Sequence, residues 1–264
     1  MAAATNHPKL LLEERRRAVV EMVEARGRIM IADLVGHFGV SAVTARADLD
    51  ALSSAGSVVR CHGGAVRALE PTRDYPVTFK AAIHRPEKLR IGQAAARLVR
   101  AGETIILDSG TTTLEIARRL KAMGLRGVTV ITNALNIAAE LSDAAGVTLI
   151  MVGGIYRQIS ASFVGPQAEA MLHELHADRF FLAVDGLDAE FGPTTPDILE
   201  AQLNGRMMEV AKETVVVSDS SKLGRRSLSR IGPIEKIARV ITDKRAPEEC
   251  VRQLRAKGIE VILA

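Results

Sequence analysis

Residues 105–117 read IILDSGTTTLEIA. Three apolar residues lead into Asp108. Ser109, Gly110, Thr111, Thr112 and Thr113 follow, and a helical pattern begins. A strand that stops at an acid, turns through glycine and opens a helix leaves backbone N–H groups aimed at one spot. The helix dipole and those donors favour an anion, and threonine hydroxyls add donors without charge, so the chemistry on offer is phosphate binding. An ordinary strand–turn–helix with a hydroxyl cap has the same local look. The other strand ends have to separate the two readings.

Those ends become visible in the pattern from residue 86 onward. The β-prone runs TIILD, VTVITN, VTLIMVGG, RFFLAVDG, TVVVSDSSK, ARVITD and IEVILA alternate with helical stripes such as TTLEIARRLKAM and ILEAQLNGRMMEVAK. Repeated β–α alternation with nearly continuous apolar strands predicts a mostly parallel α/β sheet covered on both faces. Ligands of such sheets gather at the carboxyl ends of the strands. Asn133 stands after the second strand, Gly153 and Gly154 after the third, Asp185, Gly186 and Asp188 after the fourth, and Lys222 after the fifth. Carboxylates and amides suit sugar hydroxyls, and a lysine suits a point negative charge. The set favours an anion at residues 108–113 with a polyhydroxyl body read by the remaining ends.

The first 67 residues have a different plan. Ala18, Val19, Met22 and Val23 make a helical stripe that Gly27 ends. Ile31, Leu34, Val35 and Phe38 share a face of a short second helix, broken at Gly39. Ser41 is a good N-cap for a third helix, stopped by Gly56, with Ala45, Leu49 and Leu52 toward the core. Ala42, Val43, Arg46 and Ala47 are then left largely outward. Two β-prone pieces around His62-Gly63-Gly64 make a tight hairpin. Three helices, a glycine turn and a hairpin are the winged helix-turn-helix plan, with the third helix entering the DNA major groove. Residues 68–85, with Pro71 and Pro76 and no clear period, read as a linker. The expected organisation is therefore a winged head at 1–67, a linker at 68–85 and a sensing domain at 86–264.

Composition narrows the class. The chain has 264 residues, 47% of them hydrophobic, enough for one or two packed domains. Two distant cysteines suggest no disulfide framework, and no apolar run suits a membrane span or a signal peptide. A cytoplasmic protein with no membrane partner is expected. Residues 1–67 hold nine Lys/Arg and seven Asp/Glu, a net +2 out of the total +4. Bulk charge alone therefore does not mark a nucleic-acid binder. His173 and His176 lack a third ligand, and Arg15-Arg16-Arg17 follows two glutamates, so both read as solvated helix surface. No metal and no cofactor are expected.

The stretch GVSAVTARADLDALSSAGSVVRCHGGA resembles the N-terminal domain of the DeoR family of bacterial transcription regulators. The family pattern is Val-Ser, Thr-Ile-Arg-Arg-Asp-Leu, then Leu, Gly, Arg and His-Gly-Gly-Ala. Ala45 stands here for the usual Ile, and Ala47 for the second Arg. The first change implies a smaller core contact, and the second removes a phosphate or base contact. The motifs LDSGTTT, VITN, GGIYR, SFVG, FFLAVDGLD, SDSSK and VITD extend the resemblance over residues 87–243, to the family's sensor domain. That domain is related in fold to ribose-5-phosphate isomerase. Within the family, several stretches are most similar to the subgroup controlling N-acetylgalactosamine and galactosamine use.

The resemblance implies a repressor of a sugar catabolic operon, controlled by a phosphorylated sugar such as a hexosamine 6-phosphate. It implies operator contacts from Ser41, Ala42, Val43, Thr44, Arg46, Arg60, His62 and Gly63, and it adds Arg157 to the effector site. A homo-oligomer, dimer or tetramer, follows from the two-fold operators such heads read. The alternative is a sugar-phosphate isomerase or deaminase on the same α/β domain. An isomerase has no need of a winged head, and that favours the regulator.

Overall fold

The computed structural model describes residues 11–54, 57–67 and 72–264. Gly56, read as the stop of the third helix, and residues 68–71 of the expected linker lie outside the described residues. The chain forms two compact units. Of the described residues, one contains those up to 67 together with 82–84, and the other contains 72–81 with 85–264.

The first unit holds α1 (Leu12–Arg26), β1 (Arg28–Met30), α2 (Ile31–Phe38), α3 (Ala42–Ser54), β2 (Val58–Cys61) and β3 (Gly64–Arg67). Gly27 and Gly39 end the first two helices at φ 74° and 62°, a left-handed conformation that costs glycine little. Ser41 Oγ accepts the Thr44 amide at 3.0 Å and so caps α3. Ala45, Leu49 and Leu52 pack with Val19, Val23, Ile29, Leu34 and Val58 in one core, as their spacing requires. The strand β1 is an addition to the sequence reading. It pairs antiparallel with β3, giving a three-stranded sheet in the order β1-β3-β2. Three residues are too few to show a period of two. A Cβ on Gly64 would overlap the Ile29 carbonyl, so this glycine lets the strands close.

The second unit holds α4 (Val77–Ala82) as far as residue 81, then α5 (Arg85–Ala96), β4 (Thr104–Leu107), α6 (Thr111–Met123), β5 (Val128–Thr132), α7 (Leu135–Leu141) and β6 (Val147–Met151). It continues with β7 (Ile155–Arg157), β8 (Ser162–Val164), α8 (Pro166–Leu172), β9 (Ala177–Leu182), β10 (Gly186–Asp188), β11 (Gly192–Thr195), α9 (Ile198–Val210) and β12 (Ala211–Val217). The last elements are β13 (Ser229–Arg230), β14 (Ile237–Thr242), α10 (Glu248–Ala256) and β15 (Glu260–Leu263). Seven strands make a parallel sheet in the order β15-β14-β12-β9-β4-β5-β6.

Both faces of that sheet are covered, and the strand alternation divides the core in two. Ile105 and Leu107 pack with Ile91, Ile116 and Val130 on one face, while Ile106 packs with Ile131, Phe180 and Leu203 on the other. The hairpins β7-β8 and β10-β11, the latter extended by β13, are further short elements that the strand–helix alternation did not reveal. The segment read as linker contains α4. Among the described residues, no helix is long and apolar enough to cross a membrane.

The sheet order places the site. From β4 the chain steps to β5 on one side, and much later to β9 on the other. A crevice opens outside the carboxyl ends at such a switch point. The loop after β4 is residues 108–110, and the loop after β9 begins at Ala183.

Candidate functional site

The loop after β4 is held by its own acid. Asp108 is buried, and its Oδ1 accepts the Gly110 amide at 2.9 Å and the Thr113 hydroxyl at 2.8 Å. Its Oδ2 accepts the Ala183 amide at 2.7 Å and so ties the two loops of the crevice together. Burial pushes this carboxyl up to about 7, against three donors that favour the anion. The carboxylate is therefore turned into the loop, toward a protein hydroxyl rather than toward Lys222 or a ligand hydroxyl. Gly110 caps α6 without a side-chain bond, and a Cβ there would overlap Ala183 Cβ. The first backbone bond of α6 runs from the Leu114 amide to the Gly110 carbonyl at 3.1 Å. The Thr111, Thr112 and Thr113 amides precede it and have no hydrogen-bond acceptor among the described residues, so three donors converge at the positive helix end.

Beside these donors lies a network of charges. Ser109 Oγ donates to Glu200 Oε1 at 2.8 Å. Glu200 Oε2 is 3.3 Å from Arg157 Nη1 and 3.4 Å from Thr195 Oγ1. Arg157 Nη2 also meets Asp74 at 2.5 Å and Asp197 at 3.2 Å. Asp185 Oδ2 is 3.0 Å from Lys80 Nζ, and its Oδ1 is 3.6 Å from Lys222 Nζ. Lys88 donates to the Lys80 carbonyl at 2.5 Å.

Burial and partners pull these groups in opposite directions. Burial opposes the Asp185 charge, but Lys80 and Lys222 hold its carboxyl below the usual range. Burial raises Glu200, only partly offset by Lys80, Ser109 and Arg157. Burial lowers the Lys88 ammonium to about 8, with Lys222 and Lys80 adding to the shift against Asp219. Burial opposes the Lys80 charge too, yet Asp185, Glu200 and Asp74 outweigh it and raise its pKa. The network is thus a set of donors and acceptors already balanced against one another, able to exchange partners with a charged, hydroxylated ligand.

The expected site residues divide. Ser109, Arg157, Asp185 and Lys222 meet in the network, and Thr111 and Thr112 sit at the donor end of α6. The Thr113 hydroxyl is turned back onto Asp108. Asn133 joins β5 to β8, its Nδ2 donating to the Phe163 carbonyl at 2.8 Å while its buried Oδ1 has no partner among the described residues. Gly154 approaches the Val164 carbonyl, 2.6 Å from where a Cβ would stand, whereas Gly153 has open space. Gly186 lets the backbone pass Arg225 and Thr194, with 2.5 Å from a Cβ to the Arg225 carbonyl. Asp188 is elsewhere. It closes the β10-β11 turn by accepting the Glu190 and Phe191 amides at 2.9 and 2.8 Å and pairs with Arg226 at 3.0 Å. Asp74, Lys80, Lys88, Thr195, Asp197 and Glu200 were not among the expected site residues. A faint signal existed for the last two in PDILE, where Asp197 caps α9 by accepting the Glu200 amide at 2.8 Å.

In the first unit, α3 presents Val43, 73% exposed, with Arg46 and Ala47 also exposed and Ala42 half-buried. Ser41 and Thr44 are joined at the cap, hydroxyl to hydroxyl at 2.9 Å. Arg60 bridges hairpin and helix, with Nε 3.0 Å from Asp50 and Nη1 donating to the Gly64 carbonyl at 3.1 Å. His62 and Gly63 form the exposed turn, Gly63 at φ 74° with its carbonyl accepting the Ile31 amide at 2.8 Å. Two of the arginines read as solvated surface have a structural task. Arg15 and Arg16 reach the buried Asp48 carboxylate of α3 at 2.6 and 3.3 Å and fix the outward face of that helix relative to α1.

Comparison with known proteins follows the same division. Residues 15–70 match the model of the DeoR-like helix-turn-helix domain, and residues 83–244 match that of the DeoR C terminal sensor domain. The chain is 41% identical over 252 residues to the putative aga operon transcriptional repressor of Escherichia coli O157:H7, covering 95% of this chain and 93% of that protein. It is 35% identical to the transcriptional repressor AccR of Agrobacterium fabrum, covering 88% of this chain and 89% of that protein. Among solved structures, ribose 5-phosphate isomerase A from Methanocaldococcus jannaschii superposes with a TM-score of 0.37 at 20% identity, over 52% of this chain and 53% of that one.

Proposed function

Because this chain belongs to the DeoR family of transcriptional regulators, we propose that it represses a sugar catabolic operon and that a phosphorylated sugar bound at the β4/β9 switch point controls it. It is a DNA-binding transcriptional regulator rather than an enzyme. The effector reading goes further, and one observation carries it. Three α6 amides with no acceptor among the described residues follow Ser109, whose hydroxyl donates to Glu200, and Glu200 in turn meets Arg157. Amides at a helix N-terminus suit a phosphate dianion. The carboxylates of Asp185 and Glu200 suit sugar hydroxyls. The relative named for the aga operon favours an amino-sugar pathway and a hexosamine 6-phosphate.

In this reading residues 1–67 are the DNA head, 68–85 the connection and 86–264 the sensor. The head reads operator bases through Ala42, Val43 and Arg46, while Ser41 and Thr44 set the start of α3. Arg60, His62 and Gly63 lie along the backbone. The protein acts as a homodimer or tetramer in the cytoplasm, because one head buries too little DNA for strong specificity.

The test is binding to the DNA upstream of the protein's own gene, with and without N-acetylgalactosamine 6-phosphate, galactosamine 6-phosphate and glucosamine 6-phosphate. A phosphosugar should shift operator affinity, and its unphosphorylated form should not. Equal potency of the two forms sinks the phosphate reading. A monomer by light scattering that binds one half-site tightly counts against the oligomer.

A further inference from the structure

The connecting segment does not simply pass the sensor. Asp74 Oδ2 meets Arg157 Nη2 at 2.5 Å, and Asp74 Oδ1 lies 3.6 Å from Lys80 Nζ. Lys80 Nζ meets Asp185 at 3.0 Å, and its carbonyl accepts from Lys88 at 2.5 Å. The Val77 amide donates to the Ile159 carbonyl at 2.7 Å. Three residues beyond Lys80, Ile83 is buried in the first unit and bridges to Cys61 of the hairpin. The side chains that hold the segment, Arg157 and Asp185, are those that the effector reading assigns to the ligand.

We infer that Asp74 and Lys80 form a latch that the effector opens, so that ligand binding is transmitted through residues 74–83. The inference rests on the effector reading of the preceding section. Arg157 already faces three carboxylates, Asp74, Asp197 and Glu200. With Ser160 Oγ also accepting from Nη1 at 2.9 Å, the Nη donors of Arg157 are all engaged, and an anion that reaches Nη2 displaces one of its carboxylates. Asp197 caps α9 and Glu200 lies in its first turn, so both are fixed by a thirteen-residue helix. Asp74 stands on an irregular stretch before α4 and is the partner that gives way. Sugar hydroxyls that engage Asp185 weaken the second contact by drawing its carboxylate from Lys80. A ligand can move an equilibrium only through contacts that differ between its states, and these two pairs supply that difference.

The experiment uses the full chain and Asp74→Asn. Hydrogen exchange of the ligand-free proteins is read at residues 77–82, and coupling is the ratio of operator affinities without and with the hexosamine 6-phosphate that wild type binds by calorimetry. Asp74→Asn should speed exchange at 77–82 by about threefold or more. It should bring the coupling ratio at least about fivefold closer to one while phosphosugar affinity holds or rises. Asp74→Glu should restore both, and an unchanged melting temperature of Asp74→Asn rules out a folding defect. Unchanged exchange, or faster exchange with full coupling, overturns the latch. Absence of phosphosugar binding by wild type overturns the effector reading, and the latch as its consequence, but it appears in the calorimetry before any variant is compared.

Discussion

Gly110→Ala tests whether the loop after β4 is set by packing against the end of β9. The new Cβ would overlap Ala183 Cβ and stand 3.0 Å from Asp108 Oδ1 and 3.1 Å from Thr113 Oγ1. Neither loop is free to retreat, since Asp108 Oδ2 ties them together at the Ala183 amide. Inserting a methyl into a packed site costs about 1–3 kcal/mol. Losing one of the Asp108 bonds adds roughly 1 kcal/mol. The sensor should therefore lose about 2–4 kcal/mol, and the α6 amides should move from the crevice and weaken phosphosugar binding at least tenfold, about 1.4 kcal/mol. Because the chain has no tryptophan, unfolding is followed by circular dichroism in urea and binding by calorimetry. The second arm is Ala183→Gly, which deletes the overlapping atom. In the double variant it should recover at least about 1 kcal/mol relative to Gly110→Ala alone. Wild-type stability of Gly110→Ala, or no recovery in the double variant, refutes the packing argument.

Three other outcomes are expected. Arg46→Ala should cost about 1–3 kcal/mol of operator binding and relax base preference, whereas Arg60→Ala should weaken all sequences alike and lower the salt slope; wild-type titrations of both would remove α3 and the hairpin from the interface. Asp48→Ala should destabilise the head by about 2–3 kcal/mol, less than the 3–5 typical of a broken buried pair because Arg15 and Arg16 can turn to water, and a head that melts like wild type would deny the clamp its role. Asp108 is raised from 3.8 to about 7, so between those values the folded chain holds a proton the unfolded chain has lost, and stability falls as pH rises by up to about 1.4 kcal/mol per unit. Asp108→Asn should remove that part of the slope in urea melts at acidic and neutral pH, and identical slopes would refute the assignment.

Much of this protein could be read without coordinates, because the governing signals are local. Ala45, Leu49 and Leu52 recur at helical spacing, and a helix packed on one side has to bury them. Continuous apolar strands alternating with helices lead to a parallel sheet, and LDSGTTT after such a strand leads to a helix end with spare donors. Residues whose chemistry depends only on near neighbours in the chain, such as the Ser41 cap and the Gly27 and Gly39 stops, kept the roles expected of them.

Partners distant in the chain were another matter. Ser109 meets Glu200 across 91 residues, Lys80 meets Asp185 across 105, and Arg15 meets Asp48 across 33. Composition and periodicity say that a charge exists, not which opposite charge the fold brings to it. The three-residue strands β1, β7, β8 and β10 are too short to carry a period, so they appear only once a partner strand is in place. Asp108 shows the division most plainly. Its type and position marked a ligand contact, yet the adjacency of β4 and β9 puts the Ala183 amide against its carboxylate and turns the acid inward. Sequence determined what each strand end offers. Tertiary structure alone decided which offers are spent inside the protein and which face the crevice, because strand order sets the distances over which charges and hydrogen bonds act.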